Sequence, residues 1–176
     1  PVMENRPRAD IPTDAIRLDK RPFLFPFLVS IIHDLSGYRV ANGHIANFLF
    51  TFGLLCSLFY LCKRIKNSYA AYACIALCSA LPLLAQNASG LGMDILNIFL
   101  IAIVQITAIQ FLQKPNDRRM GIFLFATILL AHTRYESALY ALATGLIILI
   151  HWAKSKSLQI PWSLVVTPIF FIPLAW

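Results

Sequence analysis

The sequence predicts an all-α fold: a polytopic bundle of transmembrane helices with a short interfacial amphipathic helix and a broken helical hairpin. Hydrophobic residues make up 59% of the chain and charged residues only 13%, and the mean hydropathy is +0.69. A soluble domain has about 45–50% apolar and about 25% charged residues. Charges lie in short clusters between apolar runs, and one long apolar run is interrupted by charges at 132–136. These observations indicate an integral membrane protein with several spans.

The positive charge of the chain belongs to its loops. The formal net charge is +7, but the basic residues stand between apolar runs, as they do in cytoplasmic loops. This pattern excludes nucleic acid as a partner and indicates membrane lipids. The cysteines lie in or at the ends of apolar runs and lack the spacing of metal ligands, so we expect small buried hydrophobes. They are Cys56, Cys62, Cys74 and Cys78.

The first 37 residues combine a polar stretch with a short amphipathic helix. Residues 1–21 are polar and mixed in charge, and we expect a loop segment on the outer, periplasmic or extracytoplasmic, side. Residues 22–37 are predicted to be an interfacial helix, because about 15 residues rise only about 22 Å, too little to cross a core of about 30 Å. Polar residues recur on one face of it. The chain begins at Pro1 and ends inside an apolar run, as a fragment would.

Residues 42–176 are predicted to form the transmembrane bundle. Apolar runs alternate with polar turns in this region, and each run indicates a span or part of one. The predicted spans cover residues 45–62, 69–85, 94–112, 120–131 and 137–152, with an incomplete span over 162–176.

Three basic clusters fix the predicted topology. The clusters at 63–66, 114–119 and 154–156 should share the cytoplasmic side. Two spans separate the first two clusters, and the apolar stretch between the second and third must then return as a hairpin. The arms, 120–131 and 137–152, are shorter than the roughly 20 residues of a full crossing. The turn between them should therefore lie below the outer surface and line a cavity.

Asp94 is the acidic residue that this topology places at the outward cavity. It lies in the first turn of its helix, where the helix macrodipole alone favours a carboxylate. An acid in a cavity would also hold a divalent cation, Mg²⁺ or Mn²⁺, that bridges phosphates. The structural and the catalytic interpretation both stay open at this point.

Arg134 is the strongest candidate for anion binding. Charges at membrane depth are costly and are usually functional, and a guanidinium presents a planar fork of donors suited to phosphate oxygens. The alternative is an internal ion pair with Glu136 or Asp94. Tyr135 and Glu136 are further candidates for substrate binding, although tyrosine also anchors interfaces and Glu136 also suits a structural role beside Arg134.

The layout resembles the C-type glycosyltransferases, specifically the family of protein O-mannosyltransferases and bacterial aminoarabinose transferases. A basic residue before proline and a short apolar helix that ends in glycine carry the first part of the resemblance, KRPFLFPFLVSIIHDLSG at 20–37. The second part is the acid Asp94 at the start of a helix. The third is TRYE at 133–136, in a broken hairpin.

The resemblance implies a membrane glycosyltransferase that moves a sugar from a polyprenyl-phosphate carrier to a lipid, glycan or protein acceptor on the outer face. Asp94 and Arg134 would be catalytic: Asp94 would bind the carrier phosphate, through a metal ion, and Arg134 would stabilise the leaving phosphate. The implied phosphate- and substrate-binding residues are Arg21, Arg134, Tyr135 and Glu136. The family's main catalytic acid lies in an outer loop upstream of the matching segment. A bacterial inner (plasma) membrane is the implied location.

Two other classes of protein stay open. Broken helices with charges at depth also mark the sites of transporters and flippases, which would require a second half that repeats the first. A non-catalytic membrane subunit would use Arg134 and Asp94 as a structural pair. That class predicts that exchanging the two charges together restores function.

Overall fold

The computed structural model describes residues 23–155 and 162–171, and this part of the chain is helical, with no strand. The all-α prediction is confirmed. Besides one short 3-10 helix, Tyr135–Ala138, the described residues form α-helices joined by short turns. The α-helices are α1 (Leu24–Ser36), α2 (Ala41–Ile65), α3 (Ser68–Ser79), α4 (Pro82–Ser89), α5 (Asp94–Gln113), α6 (Asp117–Ala131), α7 (Leu139–Ser155) and α8 (Trp162–Phe171).

The short helix α1 joins the bundle through its first residues. Leu24 is buried in the main core, whereas Phe27, Ile31 and Leu35, spaced four residues apart, are exposed. An apolar stripe of this kind suits a helix that lies in the interface of a membrane. Gly37 ends α1 with φ at 80°, a conformation that glycine adopts without strain.

Three segments of the described chain are long and apolar enough to cross a membrane: α2, α5 and the run Tyr135–Ser155. The helices α3 and α4 pass the same test together but are bent by 69°. The sequence predicted one span over 69–85 in this region. Pro82 is the first residue of α4, and a proline lacks the N–H and clashes with the carbonyl four residues earlier. The helix therefore breaks before Pro82.

The helix α6 is short but central. Its 15 residues rise about 22 Å, less than the roughly 30 Å of a hydrocarbon core. More than half of them are buried, because α5, α7 and α8 all pack against this helix. Since other helices cover much of α6 and the turn residues His132 and Thr133 are buried, the irregular turn at its end can lie below the membrane surface.

The helices α6 and α7 form the predicted hairpin. The hydroxyls of Thr127 and Thr144 lie 2.9 Å apart in the middle of the pair. Towards the far end, the ring of Phe111 lies 6.1 Å from the ring of Phe123 and 5.1 Å from that of His151. Early residues of α6 are thus beside late residues of α7, so the two helices are antiparallel and both meet the end of α5.

The bundle has one basic end and one polar end. Arg64, at the end of α2, contacts the side chain of Gln113 at the end of α5. Arg119, at the start of α6, donates to the Gln110 carbonyl at 2.9 Å. The clusters 63–66 and 114–119 therefore share an end, as the topology requires. The start of α2, the start of α5 and the α6–α7 turn lie together at the opposite end.

Candidate functional site

Three charged side chains meet at the polar end of the bundle. Arg134 Nη1 donates to Asp94 Oδ1 at 2.8 Å, and Arg134 Nε donates to Glu136 Oε2 at 3.1 Å. The side chains of Arg134 and Asp94 are 43% and 47% exposed, and that of Glu136 is 74% exposed. The structure thus brings together the acid of α5 and the arginine of the hairpin turn, 40 residues apart in the chain.

The turn between α6 and α7 aims Arg134 across the bundle. The Thr133 N–H donates to the Leu130 carbonyl at 3.0 Å and closes the end of α6. Arg134 is then extended, with φ −152° and ψ 147°, before the 3-10 helix begins. A single extended residue between two helical segments swings its side chain away from both helix axes, and in this fold it points towards the start of α5.

Asn97 links the turn to α5. Its Oδ1 accepts from the hydroxyls of Thr133 and Ser137, each at 2.6 Å. Thr133 and Ser137 are 1% and 4% exposed, and they stand immediately before and three residues after Arg134. The sequence analysis did not select Asn97 as a site residue. The available signal was its position three residues after Asp94, on the same side of the helix, opposite a turn that carries two hydroxyls.

The start of α5 is fixed by α2. The buried Asn47 donates from Nδ2 to the carbonyls of Gly90 and Gly92, at 2.7 and 3.0 Å. A Cβ on Gly43 would lie 2.5 Å from Leu91 Cδ2, so a larger residue at this position of α2 would require the exposed Leu91 side chain to move. These contacts place Asp94 opposite Arg134.

A cavity of about 350 Å³ opens beside the ion pairs. One guanidinium stands against two carboxylates, so the three side chains carry a net charge of −1 (one positive and two negative). Arg134 has five N–H donors, and the two ion pairs occupy Nε and one proton of Nη1. The cavity is lined by Asn97, Ile101, Arg134, Glu136, Ser137 and Tyr140.

The structure does not place the other predicted site residues in this cavity. Asp94 pairs with Arg134 but is not among the residues that line this cavity. Tyr135 is the first residue of the 3-10 helix and is 45% exposed, and it does not line the cavity either. Arg21 lies outside the described residues, and its assignment stays a prediction. Within 23–155 and 162–171, no group of three or more His, Cys, Asp or Glu residues is placed to hold a metal ion, and the metal assignment of Asp94 also stays a prediction.

The fold and the site define a multi-span integral membrane protein with charged chemistry at one end of its bundle. The family model described as dolichyl-phosphate-mannose-protein mannosyltransferase matches residues 20–176, and the chain belongs to this family. It is therefore a member of the membrane glycosyltransferases that use a sugar linked to polyprenyl phosphate. No match was found among curated proteins or among solved structures.

Proposed function

We propose that this protein transfers a sugar from polyprenyl phosphate to a hydroxyl of an acceptor on the outer face of the membrane, at the cavity beside Arg134. The observation that carries the proposal is the Asp94–Arg134 pair at 2.8 Å. It lies at the end of the bundle opposite the basic clusters, in a chain whose family uses such donors. The basic clusters indicate the cytoplasmic side, so the pair lies on the outer side.

Arg134 stabilises the phosphate that leaves the sugar. As the acceptor oxygen forms its bond to the sugar carbon, its proton passes to a base, the role that the resemblance gives to an acid upstream of the matching segment. The bond between the sugar carbon and the phosphate oxygen breaks in the same step, and negative charge develops on that oxygen. A fixed guanidinium aimed at this charge lowers the barrier, and removing one such donor typically costs about 10²–10³ in rate. Asp94 and Glu136 hold the guanidinium in place, and its remaining N–H groups are the ones offered to the phosphate.

A divalent cation, Mg²⁺ or Mn²⁺, is the cofactor that this site would take. The Arg134 contacts involve Asp94 Oδ1 and Glu136 Oε2. Asp94 Oδ2 is therefore the carboxylate oxygen that we propose as a ligand of the cation. Mg²⁺ in proteins is commonly held by one or two carboxylates together with substrate phosphates. A bound cation would offset the negative charge that the carboxylates and the phosphate share.

The family description and the position of the cavity support a proposal for the donor and the acceptor. The description names dolichyl-phosphate mannose as donor and protein as acceptor, so this pair is the first to test. Lipid or glycan acceptors on the outer face are the alternatives.

We propose a bacterial inner membrane as the location of the protein, because the layout of 20–37 and 133–136 resembles that of bacterial aminoarabinose transferases. Arg21 and Tyr135 are proposed as further contacts of the phosphate and the sugar.

The test is release of radiolabelled sugar from a panel of polyprenyl-phosphate donors by the full chain in membrane vesicles. We expect at least one donor to be consumed, and Arg134→Ala to slow its release by about 100-fold or more. Arg118→Ala is the matched control, because Arg118 is exposed at the basic end and should leave the rate unchanged. Equal rates for wild type and Arg134→Ala, or no release from any donor by folded protein, would overturn the proposal.

One observation favours a second candidate, a structural ion pair without catalysis. Both carboxylates already bind Arg134, as a purely structural role requires. The two candidates differ in what happens when the charges are exchanged.

A further inference from the structure

We infer that Asn97 binds the phosphate of the lipid-linked donor through its side-chain amide, while its carbonyl oxygen fixes the turn that carries Arg134. This inference rests on the proposed function and adds a residue to the same site. It assigns separate tasks to the two polar atoms of one side chain.

The carbonyl oxygen of Asn97 is used within the protein. A carbonyl oxygen has two lone pairs. The Ser137 hydroxyl donates to this oxygen at 2.6 Å, and the Thr133 hydroxyl shares its single proton between Asn97 Oδ1 and the Leu130 carbonyl, each at 2.6 Å. These two residues bracket Arg134 in the chain. Asn97 Oδ1 therefore clamps both sides of the arginine turn against α5.

The amide nitrogen of Asn97 is left to the cavity. Among the described residues Nδ2 has no hydrogen-bond partner, and it is not among the fully buried polar atoms that lack one. Asn97 lines the same cavity as Arg134. Two N–H donors are thus open to a ligand, held in place by the clamp on the oxygen of the same group.

The charge of the site makes a neutral donor useful. Asp94, Glu136 and Arg134 together carry a net charge of −1, so the cluster by itself does not attract an anion. The bridging phosphate of a lipid-linked sugar carries one negative charge, and its free oxygens only accept hydrogen bonds. A neutral amide supplies such hydrogen bonds to the phosphate. Because it carries no positive charge, it does not form an ion pair with Asp94 or Glu136 in place of the phosphate. Tyr140 also lines this cavity.

Asn97→Asp separates the two tasks. The substituted carboxylate still accepts from Thr133 and Ser137, so the clamp persists, but both N–H donors are lost and a negative charge is added. Asn97→Ala, which adds no charge, shows how much of the effect comes from the lost donors. We expect the KM for the donor to rise about 10- to 100-fold, the effect of losing a hydrogen bond to a charged group. The increase should shrink as the pH falls, because a protonated carboxyl regains a donor while its other oxygen still accepts. The wild type at each pH is the reference.

A double variant, Thr133→Val with Ser137→Ala, provides the converse. It keeps both N–H donors of the amide but removes the hydrogen bonds that orient the amide and the turn, so kcat should fall, and the KM for the donor should rise less than in Asn97→Asp. Asn97→Ala removes both the oxygen acceptor and the N–H donors, so it should change both kcat and the KM for the donor. It replaces Asn97→Asp in the test if Asn97→Asp does not fold. Gln105→Leu, on an exposed position of the same helix, is the matched control and should change neither constant.

The outcomes distinguish this inference from the proposed function. A donor KM within twofold of wild type in Asn97→Asp, or in Asn97→Ala, would overturn the binding role of Asn97, provided that Arg134→Ala still abolishes release. If Arg134→Ala itself has no effect, the proposed function fails, and the inference fails with it.

Discussion

At the scale of single residues, the site depends on an arginine shared between two acids. Asp94 and Glu136 hold the guanidinium from two sides, and both ion pairs are partly exposed, so neither should contribute much to stability by itself. Their value is positional. The rotation of Arg134 is restricted, and its unused N–H groups have a fixed direction towards the cavity.

The proposed cation gives the first prediction. Adding a chelator to wild-type vesicles should lower the rate of sugar release at least tenfold, and added Mg²⁺ or Mn²⁺ should restore it, because a phosphate beside two carboxylates needs a counter-charge. Asp94→Asn should already be slow and should respond little to either treatment. Unchanged sugar release in excess chelator would contradict the proposed metal site. Arg134 would then be the main positive charge beside the phosphate.

At the scale of elements, the polar end depends on contacts between helices far apart in the chain. Asn47 on α2 is 0% exposed, and its two donated hydrogen bonds fix the loop that begins α5. The position of Asp94 therefore depends on the position of this loop. The bend before Pro82 delivers α4 to the same loop, where His44 Nδ1 lies 2.9 Å from the Ser89 carbonyl.

Removing this anchor gives the second prediction. Asn47→Ala should lower the free energy of unfolding by about 1–3 kcal/mol, since two inward-facing carbonyls lose their donors. Sugar release should fall as well, because Asp94 loses its fixed position. Thermal unfolding in detergent and the release assay measure the two effects. Gln86→Ala, at an exposed position of α4, is the control, and an Asn47→Ala protein that matches it in both assays would contradict this account of the loop.

The hairpin and the meeting of Asp94 with Arg134 could be predicted from the sequence, because basic clusters and parity fix which ends of the spans lie together. The clamp at Asn97 could not. It depends on the rotation of α5 about its axis to within one residue, and the few polar residues of this mostly apolar helix do not fix that rotation so closely. The sequence does not fix the bend before Pro82 for a related reason: membrane helices tolerate proline where neighbours satisfy the freed groups, and the sequence does not name those neighbours.

At the scale of the whole molecule, the account requires that the two ends of the bundle face opposite sides of the membrane. Arg64, Gln113 and Arg119 mark one end, and Asp94 with Arg134 marks the other. A lipid-linked sugar would then enter the site from the outer leaflet, with its phosphate at the level of the hairpin turn.

Sided labelling tests this arrangement. In a background without the four native cysteines, Leu91→Cys should react with a membrane-impermeant maleimide applied from outside the cell. Lys114→Cys should react only after the membrane is permeabilised. Both positions are exposed, so accessibility to the reagent should depend on the side of the membrane. The reverse pattern of labelling would place the site on the cytoplasmic side and contradict the proposed direction of transfer.

The central claim is that Arg134 acts on the donor phosphate in addition to pairing with Asp94. The most direct measurement is sugar release by the double variant Asp94→Arg with Arg134→Asp, compared with each single variant and with wild type. We expect the double variant to be more thermally stable than either single variant. Its sugar release should stay at least 100-fold below that of wild type, because the guanidinium is then on α5 and no longer faces the cavity from the turn. Recovery of release to near the wild-type rate would show that only the ion pair matters, and it would contradict the account.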